Sequence, residues 1–196
     1  MMKVIEHIEL VGENVIVASL QEEHVEALFE ISQEPAIWEF LTTKVYTIDD
    51  MKDIVTAALK MKEEGSQDPF VVIDKKTNRI VGTTRLLDIS HADKKAEIGW
   101  TWYHPSVWRT YVNTECKYLL LKYCFETLQY NRVQFKTDGR NERSQKAIAR
   151  LGAVYEGTIR KERVLPNGYV RDAALFSIIS EEWGSVKERL EGYMAR

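Results

Sequence analysis

Positive charge, cysteine, clustered histidine and long apolar runs are all scarce in this chain of 196 residues, and each scarcity closes off a class of function. Lys and Arg number 27 against 30 acids, a formal charge of -3, so there is no broad electrostatic footprint for nucleic acid. No apolar run approaches the roughly 18 residues that cross a bilayer. The start MMKVIEHIEL carries charges where a signal peptide is apolar, which points to a cytoplasmic protein without a membrane partner. Cys116 and Cys124 fall in one expected helix, about 12 Å apart along its axis at 1.5 Å per residue, so they cannot bridge each other. They read as core. His7, His24, His91 and His104 have no metal-ligand spacing, and no metal is expected. What remains, 44% apolar and 29% charged, is ordinary for a globular chain, and residues 1–196 read as one domain.

Periodicity supplies the elements. Val15 to Leu20 reads as a strand and Gln21 to Ser32 as a helix closed by Pro35. A second helix is expected from Asp49 to about Glu64, with Thr47 or Asp49 as cap and Gly65 as stop. Phe70–Asp74 and Arg79–Ile89 form an expected hairpin around KKTN, with Ala96–Tyr103 as the neighbouring strand. Asn113–Leu128 is the central helix, followed by strand Arg132–Lys136 and helix Asn141–Leu151. Ala153–Val164 and Tyr169–Ile179 make a long hairpin around Pro166, Asn167 and Gly168, and a helix capped by Ser180 follows. This order gives an α+β fold with a mixed, mostly antiparallel sheet flanked by helices.

The densest segment is Arg140 to Gly157, RNERSQKAIARLGAVYEG. Asn141 can cap a helix, Glu142 suits its first turn, Ala147, Ile148 and Leu151 share a face, and Gly152 ends it. Asn141, Ser144, Leu151, Gly152, Ala153, Glu156 and Gly157 together resemble the GNAT superfamily of acyl-CoA-dependent N-acyltransferases, particularly its RimJ/RimL-like branch. Val81-Gly82, Glu97 to Trp100, His104-Pro105 and Thr114-Glu115 match the same family in order. The resemblance implies the GNAT fold over the whole chain and transfer of acetyl from acetyl-CoA to a primary amine, either a protein N-terminus or a small molecule. A catalytically weak acyl-CoA binding or regulatory protein of the same fold is the alternative. A homodimer stays open, with Trp183 read as core or dimer surface.

A helix start offers unpaired N–H groups and partial positive charge, which suits the pyrophosphate of coenzyme A. The loop before the central helix reads HPSVWRTYVNT, and the resemblance lays the family's phosphate-loop positions on Trp108, Tyr111 and Asn113. The family's glycines are absent there. Arg109, Thr110, Asn113 and Thr114 can supply charge and donors instead. On the strand, simple alternation puts Glu97, Gly99, Thr101 and Tyr103 on one face and Ile98, Trp100 and Trp102 on the other. Glu97 is the candidate base that takes the amine proton, with Asp172 as a fallback. The tyrosine that many superfamily members use toward the thiolate falls on Ile148 here. The resemblance gives that role to Ser144, and Asn141 would hold the pantetheine arm. The basic run Arg140, Arg143, Lys146 and Arg150 reads as a solvated helix face.

Overall fold

A computed structural model describes residues 7–165 and 167–195, so the MMKVIE start and Pro166 of the expected turn lie outside the described residues. Eight strands form one sheet: β1 (Glu9–Val11), β2 (Val15–Ser19), β3 (Asp68–Asp74), β4 (Arg79–Ser90), β5 (Lys95–Tyr103), β6 (Arg132–Asp138), β7 (Val154–Val164) and β8 (Val170–Ile179). Their spatial order is β1-β2-β3-β4-β5-β6-β8-β7, and β5–β6 is the parallel pair among otherwise antiparallel neighbours. The α+β reading with a mixed, mostly antiparallel sheet therefore holds.

Two helices, α1 (Val25–Ile31) and α2 (Ile48–Glu63), pack on one face of the sheet, where Leu28, Met51, Val55 and Ala58 meet Val71 and Trp102. The other face carries α3 (Tyr111–Lys122), α4 (Glu142–Leu151) and α5 (Trp183–Met194), whose Cys116, Leu120, Ile148, Leu151, Val186 and Leu190 meet Phe70, Val72 and Phe135. Phe70 and Val72 against Val71 is the period-two alternation of a strand covered on both faces. Both cysteines are buried and free, as core packing requires. Trp183 is core: it stacks on Phe125 at 5.4 Å and its indole donates to Glu126 at 3.0 Å.

The differences from the sequence reading have physical causes. The expected helix Gln21–Ser32 opens with a 3₁₀ turn, Glu22–His24, because the His24 ring accepts from the Gln21 N–H at 3.1 Å and tightens the first turn. Thr47, not Asp49, caps α2. The central helix begins at Tyr111 because Thr110 caps it, its hydroxyl accepting from the Val112 N–H, and its last turn, Tyr123–Thr127, widens to π geometry. Ser180 is not a cap. Glu182 reaches back to the Ile179 N–H, and a 3₁₀ turn, Ser180–Glu182, precedes α5. The three-residue β1 was too short to leave a period, and Glu115 secures its hairpin by accepting from the Asn14 and Val15 N–H groups.

Candidate active site

The β5 alternation does not run through. Arg85 pairs with Gly99 but Thr83 pairs with Trp102, so Trp100 and Thr101 of β5 oppose the single Thr84 of β4. That bulge is taken up at Trp100, whose φ is +50°. Beyond it the parity flips: Tyr103 joins Ala96 and Ile98 on the α3 face, while Trp102 turns to the α1–α2 face. The expected grouping of Glu97 with Tyr103 is thereby corrected, because alternation assumes an unbroken ladder.

Past the bulge β5 also parts from its parallel partner. The two strands pair over Lys95↔Arg132, Ala96↔Val133 and Glu97↔Gln134 and no further. The separation opens a cleft of about 1560 Å³ that passes through the sheet, reaching the starts of α3 and α4 on one side and α2 on the other. Glu97, Trp108, Arg109, Thr110, Asn113, Thr114, Asn141 and Ser144 all line it. Tyr111 does not: its hydroxyl donates to Asp74 at 2.7 Å, under Lys76. Asp172 also lies outside the cleft, accepting instead from the Lys161 N–H.

At the α3 end the missing glycines leave less obstruction than their side chains suggest. Trp108 folds back so that its indole donates to the Tyr103 carbonyl at 2.9 Å, and Tyr111 points to Asp74. Arg109 itself adopts the left-handed conformation, φ +62°. The Tyr111 and Asn113 N–H groups at the helix start have no intrahelical acceptor and face an open loop. Two arginines from α4 close in on this end: Arg143 stacks on Trp108 at 4.0 Å, and Arg150 donates to Thr114 Oγ1 at 2.9 Å. Both side chains stay exposed, in keeping with a solvated helix face, while making these contacts. Their spacing along α4 was legible, but the facing α3 start was not. Arg140 pairs with Asp138 at 2.7 Å, and Lys146 with Glu142 in an exposed i,i+4 bridge.

On α4, Asn141 is the expected cap, Oδ1 accepting from the Ser144 N–H at 3.0 Å. Its amide nitrogen and the Ser144 hydroxyl have no partner among the described residues. Both face the cleft, beside Ile148.

At the centre Glu97 is buried, 5% exposed. Its Oε2 takes both contacts, from Lys136 Nζ at 2.9 Å and Gln134 Nε2 at 3.0 Å. Burial works against the Lys136 ammonium, but Glu97, with Asp88 and Glu162, more than offsets it and the Lys136 pKa is raised. Oε1 accepts nothing from a described residue and lies over Gly99, where an added Cβ would sit 3.3 Å away. Below the bulge, Lys117 of α3 is fully enclosed, holding the hydroxyls of Thr101 at 2.6 Å and Thr84 at 3.1 Å, and burial lowers its pKa to about 8. Arg85 is 6% exposed, and burial lowers its pKa to about 10. Sequence patterning flagged neither cation nor Lys136, since a lone basic residue within a strand or helix carries no spacing signal.

Known proteins share this fold. The acetyltransferase (GNAT) domain matches residues 14–154. The uncharacterized N-acetyltransferase p20 of Bacillus licheniformis is 23% identical over 89% of this chain and 97% of its own length. A GCN5-related N-acetyltransferase from Brucella melitensis superposes with a TM-score of 0.89 at 27% identity, over 95% of this chain and 85% of that one. Mycobacterium smegmatis RimJ, solved in complex with CoA-disulfide, shares the fold with a TM-score of 0.79 at 22% identity over 95% and 92%.

Proposed function

This chain belongs to the acetyltransferase (GNAT) family, with relatives on its RimJ/RimL-like side, and from that membership we propose that it moves acetyl from acetyl-CoA directly to a primary amine. The observation that carries the reading is the through-sheet cleft, which joins an anion-suited helix start to a buried carboxylate with one free oxygen. The residues at the α3 end suit coenzyme A. Two N–H groups at a helix start, Arg143, Arg150 and the Thr114 hydroxyl form a donor set for a pyrophosphate, while the Thr110 hydroxyl is spent on the Val107 carbonyl. Asn141 is placed to hold the pantetheine amides with its free nitrogen. Coenzyme A supplies the activated acyl carbon as a thioester.

The remaining work falls to this chain's own groups. An ammonium cannot attack, so the acceptor must lose a proton, and Glu97 Oε1 is the basic atom the cleft exposes for it. Lys136 and Gln134 fix that carboxylate through Oε2. Ser144 offers a hydroxyl proton where the sulfur departs, in the place of the tyrosine that Ile148 replaces. Holding both reactants in one walled cleft removes much of the entropic barrier without a covalent enzyme intermediate.

Calorimetric titration with acetyl-CoA, followed by thiol release over an amine panel, tests the reading. Binding with turnover supports transfer, and binding without turnover on any amine indicates an acyl-CoA binding protein. No binding and no rise in melting temperature at millimolar acetyl-CoA would overturn both.

A further inference from the structure

The α2 side of the cleft holds a buried cation that forms no ion pair among the described residues. Arg85 sits on β4 opposite Gly99, and its guanidinium carbon lies over the Trp100 ring, 4.3 Å from the centroid. One protein hydrogen bond is made, from Nη1 to Gln67 Oε1 at 3.2 Å. Nε is buried without a partner, and Nη2 has none among the described residues. No carboxylate forms an ion pair with Arg85 among those residues, and desolvation is what perturbs it. Across the cavity α2 presents Ile54, Ala57 and Met61 together with Asp50 and Asp53; Asp50 accepts from the Tyr46 and Thr47 N–H groups, and neither acid forms an ion pair with Arg85. Glu97, two register positions along on the same face, already gives Oε2 to Lys136. A buried guanidinium left in this state is costly unless something else pairs with it.

We propose that Arg85 is the anion-binding residue of the acceptor pocket, and that the acceptor is a small amine carrying a carboxylate, an amino acid or its ω-amino counterpart. This rests on the acetyl-transfer reading and names its substrate class. The guanidinium donors without a partner are Nε, which is enclosed, and Nη2; Trp100 covers the group, and Nη2 is the donor that a carboxylate oxygen of a ligand in the cleft can take. The diagonal between Arg85 and Glu97 on neighbouring strands is about 7–8 Å. A carboxylate seated on Arg85 therefore leaves an amine a few bonds away within reach of Glu97 Oε1.

The test compares 4-aminobutyrate with 4-aminobutanamide, glycine with glycinamide, and 2-aminoethyl phosphate, in wild type, Arg85→Gln and Arg85→Lys. Wild type is expected to favour the carboxylates in kcat/KM by about 10–100-fold, the worth of a charge-assisted pair. Arg85→Gln should bring that ratio to about one while amide turnover persists, and Arg85→Lys should keep part of it. Amide turnover with no carboxylate preference, a ratio that survives Arg85→Gln, or preference for the phosphate would overturn the assignment and leave acetyl transfer standing. If no amine is turned over, transfer fails, and calorimetry with 4-aminobutyrate decides the subsite: binding abolished by Arg85→Gln supports it, and absence of binding to wild type overturns it.

Discussion

Lys136 Nζ lies 2.9 Å from Glu97 Oε2, an ion pair between neighbouring strands at the point where the parallel ladder ends. The pair divides the carboxylate into a held oxygen and one without a partner among the described residues. Gly99 matters for the second, since a Cβ there would also meet Leu87 Cδ1 at 2.7 Å. Glycine at this position lets Leu87 and Oε1 both lie close against the strand.

Glu97→Gln keeps the shape and the contacts of that side chain but removes the basic oxygen. Turnover near neutral pH is expected to fall by about 10²-fold, and assay at higher pH, or with a less basic amine, should recover much of it. Ser144→Ala should lower turnover without such recovery, because the leaving group is unchanged. A pH–rate profile of the three proteins checks this, and wild-type activity in Glu97→Gln at every pH would remove Glu97 as base.

Asn141→Ala separates two roles of one side chain. Losing the cap should cost about 1 kcal/mol of stability, measured by urea unfolding. Losing the free amide should weaken acetyl-CoA binding beyond what that destabilisation explains. Unchanged affinity in a destabilised variant would leave Asn141 as a cap alone.

The fold was legible because period, caps and stops are local signals: Asn141, Gly152 and Thr47 each act where the sequence placed them. The candidate site was legible where it coincided with an element end, at Thr110 and Asn141. It was not legible where it depended on two elements meeting. The bulge at Trp100 exists against β4, Arg143 and Arg150 gain their partners from the loop before α3 and from its first turn, and Lys136 gains its partner only from a neighbouring strand. Tyr111 shows the converse. Its place in a loop motif suggested a ligand contact, but Asp74, 37 residues away in sequence, holds its hydroxyl.

Arg143→Ala and Arg150→Ala test the phosphate end. Each should weaken acetyl-CoA binding roughly 10-fold at low salt, with the difference shrinking as salt is raised. S-acetylpantetheine, which lacks the phosphates, should serve wild type and both variants equally. Equal loss with both donors would show that the arginines support the cleft walls instead.

Lys117 makes the cleft floor pH-sensitive in stability. Burial brings its pKa from 10.5 to about 8, and its hydrogen-bond partners are the hydroxyls of Thr84 and Thr101. Between those two pH values the unfolded chain holds a proton that the folded chain has released, so stability rises with pH across the window. Below pH 8 both states are charged and the full desolvation cost is present, an upper bound of about 3 kcal/mol for that lowering. Lys117→Met fills a similar volume without a charge. Urea unfolding at pH 7, 8, 9 and 10 should therefore show wild type gaining on the variant as pH rises, with the variant's slope flatter over this range. Parallel curves would mean that water or a bound anion solvates the ammonium, and that the hydroxyl pair does not hold it alone.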